Sequence, residues 1–165
     1  MPKTVKIQLN NDSINAGLRE IRKYKNWVLK KEGELRMRLA TLGATVASIQ
    51  FSRAIYNGAK DISVRVDDTG SVAVIYAEGE AVAFVEFGAG IRYGYGHPQA
   101  GELGVGPGTY PDGKGHWDSE TGWWYGHGKH SYGNPPAMAM YGAVQRMTEE
   151  ITKIAKETFG IKSSG

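Results

Sequence analysis

The sequence predicts an α+β domain, and three observations carry that prediction. Residues 13–52 keep one apolar seam at helical spacing, residues 61–87 hold short apolar runs separated by turns, and residues 137–159 repeat apolar side chains at intervals of four and three. The runs in 61–87 are joined by connections too short for parallel neighbours, so they form an antiparallel β-meander. At 165 residues, a single domain over 1–165 with one core is expected.

Residues 4–9 alternate, with Val5, Ile7 and Leu9 on one face, as in a half-buried strand that can join the sheet. Asn10, Asn11, Asp12 and Ser13 end it and supply helix N-cap oxygens. Ile14, Leu18, Ile21 and Val28, then Leu35, Leu39, Leu42, Val46 and Ile49, make the seam of the basic helical segment 13–52, interrupted by Lys25 and Glu32. Gly33 costs about 1 kcal/mol inside a helix, so one bent helix and two shorter ones both fit. This segment is expected to pack on the chain's own sheet.

Ile62, Val64 and Val66 alternate with Ser63, Arg65 and Asp67, and Asp67–Gly70 reads as a turn. Residues 72–77 are apolar on both faces, Glu78–Glu80 is a second turn, and 81–87 reads as a third strand. Such strands need cover on both sides. The helices cover one; the glycine-rich block or another subunit covers the other. Asn134 reads as a cap residue and Pro135 and Pro136 suit a first helical turn, and Met140, Val144, Met147, Ile151 and Ile154 form the seam of an amphipathic helix packed on the sheet. It ends at Gly160, with Lys156 where the helix dipole favours a cation.

Composition excludes several classes. Without cysteine there is no disulfide framework, thiolate zinc site or cysteine nucleophile. No apolar run approaches the ~20 residues of a membrane helix, and the first residues do not resemble a secretory signal, so a soluble protein made in the cytoplasm is expected. Charge is segregated: residues 1–60 carry 12 Lys/Arg against 4 Asp/Glu, and residues 61–87 carry 1 against 6. A basic stripe is compatible with nucleic acid. It is better read here as the solvated face of an amphipathic helix, or as one half of a charge-complementary contact between subunits.

Residues 88–134 hold 14 of the 23 glycines, eight aromatics and all four histidines. A loop of this length is usually functional or disordered, and its aromatics argue against plain disorder. His97, His116, His127 and His130 are loosely spaced for zinc. The carboxylates Glu102, Asp112, Asp118 and Glu120 fall into no catalytic pattern, and Gly88-Ala89-Gly90 opens no phosphate-binding helix. No metal, cofactor or enzymatic activity is therefore expected. Tyr93, Tyr95, Trp117, Trp123, Trp124, Tyr125 and Tyr132 are candidates for anchoring the loop or for a protein interface, since Trp and Tyr are enriched in interfaces. A sugar-binding platform is the other use of such a cluster.

Val85-Glu86-Phe87-Gly88-Ala89-Gly90 runs into a glycine/aromatic loop containing Trp123-Trp124-Tyr125, which closes on Gly133-Asn134-Pro135-Pro136-Ala137-Met138 before the last helix. This order resembles the tail-completion or head–tail joining (neck) proteins of long-tailed, siphovirus-type phages and prophages. Their pattern is Glu-Phe-Gly-Thr-Gly after a strand, a variable loop often holding Gly-Trp-Trp-Tyr, then Pro-Ala-x-Pro-Phe-Met before a C-terminal helix. The resemblance covers most of the chain and rests on Glu86, Phe87, Gly88, Gly90, Pro136, Ala137 and Met138. Ala89 stands for the usual Thr, Ala139 and Met140 for Pro-Phe, and the insertion at 94–121 is long.

The resemblance implies a non-enzymatic virion protein, made in the host cytoplasm and placed in the neck or tail. It would form a ring, commonly six-fold, between tail-terminator or tail-tube proteins and head-connector proteins. DNA would pass through the ring, and neither membrane nor cofactor is implied. Opposite-sign segments suit the head-to-tail contacts that close into rings. The alternatives are a carbohydrate-binding module using the Trp/Tyr cluster and a histidine-based metal-dependent hydrolase.

Overall fold

The structure of the protein is a computed structural model. It describes residues 6, 8, 10–56, 58–90, 92–93, 96–104, 120–125 and 128–161. The expected strand at 4–9 lies largely outside the described residues.

The α+β class is observed, in the order α1 (Asn11–Arg53), β1 (Ser63–Asp68), β2 (Ala73–Glu78), α2 (Val82–Phe87), β3 (Trp123–Tyr125), β4 (Lys129–Ser131) and α3 (Ala139–Phe159). The segment read as one bent helix or two is a single uninterrupted helix of 43 residues, about 65 Å long. It begins where the polar run supplies a cap: the Asn10 side chain accepts from Ser13 N at 2.8 Å. Its C-terminal half packs against α3, which runs back along it.

Small residues set that contact. Ala47, Ala139 and Ala143 are buried at the seam with Phe51, Ala81 and Val85. A Cβ added to Gly43 would lie 2.6 Å from Ile75 Cδ1 and 2.7 Å from Met147 Sδ, so its absence lets α1 approach both β2 and α3. Arg38 fastens the far end, donating to Thr158 Oγ1 at 2.9 Å and to Glu157 Oε2 at 2.6 Å. The C-terminal helix thus packs chiefly on α1, with Ile75 of the sheet beside it. It ends at Gly160 as expected, where a positive φ lets Ile161 N donate to the Lys156 carbonyl.

β1 and β2 form an antiparallel hairpin, pairing Val64 with Ala77 and Val66 with Ile75. These residues face α1 and are half-buried, while Val74 and Tyr76 point outward, with Arg65 stacked over the Tyr76 ring at 4.4 Å. Among the described residues, cover is therefore found on one face of the sheet only, where the sequence predicts cover on both.

The expected third strand is absent from this sheet. Residues 82–87 form α2 instead. The apolar run from Ala81 to Val85 is the pattern that periodicity cannot assign between strand and buried helix. Here the Asp61 carboxylate decides, accepting from Glu80 N at 2.6 Å and Ala81 N at 3.1 Å and so starting a helical turn. Ala81 and Val85, four apart, are then both buried.

A second correction concerns the last helix. Pro135 and Pro136 precede it rather than filling its first turn, and the N-cap is Met138 in the left-handed region (φ 50°), with no capping side chain of its own.

Candidate functional site

The residues at 84–90 and 131–141 form one buried clasp, although more than forty residues separate them in sequence. Ala89 and Asn134 exchange backbone hydrogen bonds at 3.0 and 2.9 Å. The Asn134 amide donates to the Phe84 carbonyl at 2.8 Å. Ala137 N and Met138 N donate to the carbonyls of Val85 and Glu86, at 2.8 and 3.2 Å. These contacts satisfy the free C-terminal carbonyls of α2.

The close approach explains two glycines. Gly88 (φ 80°) lies where a Cβ would sit 2.8 Å from Pro136 N, and at Gly133 (φ 105°) a Cβ would run into the Ala89 carbonyl. Gly90 lies similarly against the Tyr132 carbonyl.

Glu86 sits at the centre, 4% exposed. Oε2 accepts from Met140 N at 3.0 Å, and Oε1 accepts from Tyr141 N at 3.0 Å. These are orphan donors of the first turn of α3, so a carboxylate borrowed from α2 serves as the cap that Met138 lacks. His97 closes the other side. Its Nδ1 accepts from Gln99 N at 3.1 Å, which leaves Nε2 carrying the proton toward Glu86 Oε1, 3.3 Å away. The imidazole packs on Phe87, with ring centroids 4.5 Å apart, and on Tyr141 at 5.6 Å. With both oxygens and both ring nitrogens occupied and sealed from solvent, this pair is built to hold structure.

The clasp carries an exposed platform. β3 and β4 pair Trp123 with Ser131, Trp124 with His130 and Tyr125 with Lys129. Trp124 meets the His130 ring edge-on at 4.7 Å, His130 meets Tyr132 at 4.6 Å, and the Arg92 guanidinium lies 4.0 Å over the Tyr132 ring. This ladder stands directly on the closure: Ser131 is buried and its Oγ accepts from Gly133 N at 3.1 Å. At its tip Trp124 is 72% exposed, whereas Trp123, on the other face of the strand, is half-buried.

Of the candidate residues, the structure brings together Trp124 and Tyr132 in the ladder. Glu86, Phe87, Gly88 and Gly90 meet the chain at Pro136, Ala137 and Met138 in the clasp. Tyr93 is exposed on a turn, its N donating to the Gly90 carbonyl at 3.0 Å. Tyr125 lies in β3. Tyr95 and Trp117 lie outside the described residues, as do His116 and His127.

Arg92 and the structural role of His97 escaped the sequence reading, and Asn134, expected to cap the last helix, instead bonds Phe84 and Ala89. A buried histidine with both nitrogens engaged has no signature in a glycine-rich segment. Among the described residues no three metal-ligating side chains converge, and no described helix is long and apolar enough to cross a membrane. No family model, curated protein or solved structure matches the chain.

Proposed function

We propose that this chain is a structural joining protein of a long-tailed phage or prophage, acting in the neck or at the head-proximal end of the tail. Copies of it form a ring that contacts tail-terminator or tail-tube proteins on one side and head-connector proteins on the other. Trp124 carries the reading. A large aromatic left 72% exposed, on a hairpin fixed by a buried clasp, is placed to anchor a partner. Its mounting is preorganised, so little ordering entropy is lost when it docks.

The motif order that suggested the family supports the same reading. The residues of the Glu-Phe-Gly-x-Gly and Pro-x-x segments are those that form the clasp, so the sequence pattern has a physical purpose: it holds the platform rigid. The half-covered sheet and the exposed apolar face of α1 also suit a protein that works inside an assembly.

The deciding experiment replaces Trp124 by Ala, confirms the fold by circular dichroism, and scores tail–capsid joining in an induced or infected lysate. Free tails beside filled heads are expected. Normal virions would overturn the reading. Tryptophan fluorescence quenched by added glycans and abolished by the same substitution would replace it with a sugar-binding module.

A further inference from the structure

α1 outruns the helix that covers it. α3 ends at Phe159, whose ring meets Trp27 edge-on with centroids 5.8 Å apart. Residues 11–26 therefore extend beyond the α3 contact by about 24 Å. The apolar seam does not stop there. The register that places Leu35, Leu39, Leu42 and Val46 against the body continues through Ile21, Leu18 and Ile14, and those three are left exposed. The interior is built largely from alanine, while these larger side chains lie outside it. An apolar seam of this length on a projecting helix calls for a second surface.

The same molecule presents a matching one. Between the hairpin and the two helices runs an apolar groove of about 370 Å³, lined by Leu39, Val74, Ile75, Val144 and Met147 among others. Val74 and Val144 are themselves exposed. Charge decides what fits it. Residues 11–31 carry six Lys/Arg against two Asp/Glu, so two overhangs lying side by side would repel. The hairpin is of opposite sign as a whole: Asp67, Asp68, Glu78 and Glu80 stand against Arg65 and against Arg36 of α1, which lines the groove and pairs with Asp68 at 3.1 Å. The basic overhang and the acidic hairpin lie on different parts of the chain, so each copy offers one of each.

We infer that the overhang of α1, through Ile14, Leu18 and Ile21, docks in the groove between hairpin and α3 of a second copy of this chain. The contact is head-to-tail, and repeated with closure it gives a ring. This deepens the reading above that copies assemble, and it names the two surfaces.

The chain has no cysteine, which makes the test clean. Purified full-length Leu18→Cys and Val74→Cys proteins are mixed under mild oxidation, with Leu18→Cys plus Thr152→Cys as the control pair. Ile21→Cys with Val144→Cys is a second pair, in case one variant fails to fold. Mixed-pair disulfide dimers severalfold above the control are expected. The double variant Leu18→Cys/Val74→Cys should give a ladder of higher oligomers.

Dominant Leu18–Leu18 position cross-links, or no pair above the control, would overturn the inference. Amine cross-linking of the unmodified chain separates the two claims. If no cysteine pair exceeds the control, oligomers captured by amine cross-linking would mean that only the named surfaces are wrong, and absence of any oligomer would reject the ring as well.

Discussion

Glu86 caps Met140. Its carboxylate accepts from the Met140 backbone N at 3.1 and 3.0 Å through its two oxygens, across a sequence gap that contains the whole glycine-rich block. A helix whose N-cap residue is a left-handed methionine has no local oxygen to offer, and this remote carboxylate supplies one. The two ends of the block are thereby tied to one charge. The platform between them inherits its position from that tie.

Glu86→Ala leaves the first-turn donors of α3 and His97 Nε2 unsatisfied in a buried site. Each such group costs roughly 1–3 kcal/mol, so a loss of about 3 kcal/mol or more is expected in urea unfolding. Glu86→Gln keeps one accepting oxygen and should lose less, about 1–2 kcal/mol. Equal losses for the two variants would mean that side-chain volume, rather than capping, is what matters.

Gly133→Ala forces a Cβ into the Ala89 carbonyl at a positive φ. A destabilisation of about 2 kcal/mol or more is expected from strain and clash together. Gly128 also has a positive φ (75°) but nothing within 4 Å of an added Cβ, so Gly128→Ala should show the conformational cost alone, about 1 kcal/mol. The difference between the two melting midpoints measures how tightly the clasp closes.

The neighbouring tryptophans should separate stability from assembly. Trp124 is mostly exposed, and Trp124→Ala is expected to change unfolding free energy by no more than about 0.5 kcal/mol. Trp123 is half-buried on the opposite strand face, and its truncation should destabilise by about 1–2 kcal/mol. Thermal unfolding of the purified variants checks both.

Acid should loosen the hairpin. The Gly70 backbone N–H, and then the Arg36 guanidinium, hold the Asp68 carboxyl below its ordinary range; Arg65 does the same for Glu78. Folded-state values lowered in this way give stabilisation that is complete above the ordinary carboxylate range. It is lost as pH falls through the lowered values. Both groups face solvent, so the effect should shrink in high salt. The double variant Asp68→Asn/Glu78→Gln is expected to flatten the acid limb of urea midpoint against pH, leaving the neutral-pH midpoint slightly lower.

Much of the fold was legible because its signals are local. The seam of α1, its cap at Asn10, the chain reversal between β1 and β2 (at 69–72, two residues past the Asp67–Gly70 turn expected from sequence) and the α3 stop at Gly160 each depend on residues within a few positions of one another. Periodicity, capping oxygens and positive-φ glycines report such structure directly. The exposed aromatic cluster was legible as a composition, though not as a ladder. Arg92 and His130 join it only through rings brought together across the hairpin and the closure.

Tertiary structure alone decided the rest. Residues 81–85 are apolar throughout, and nothing in them chooses strand over helix. Asp61, twenty residues earlier, fixes the turn that leads into the helix by accepting from Glu80 N and Ala81 N, and the backbone N–H groups of Ala137 and Met138 bond its carbonyls at the other end. The start of α3 was likewise displaced past both prolines because its cap is Glu86. Local sequence determined where the long helices run and where the chain turns, since those preferences are written in neighbouring side chains. The clasp, the second helix and the exposure of Trp124 depend on polar groups distant in sequence satisfying one another inside the fold, which no local pattern records.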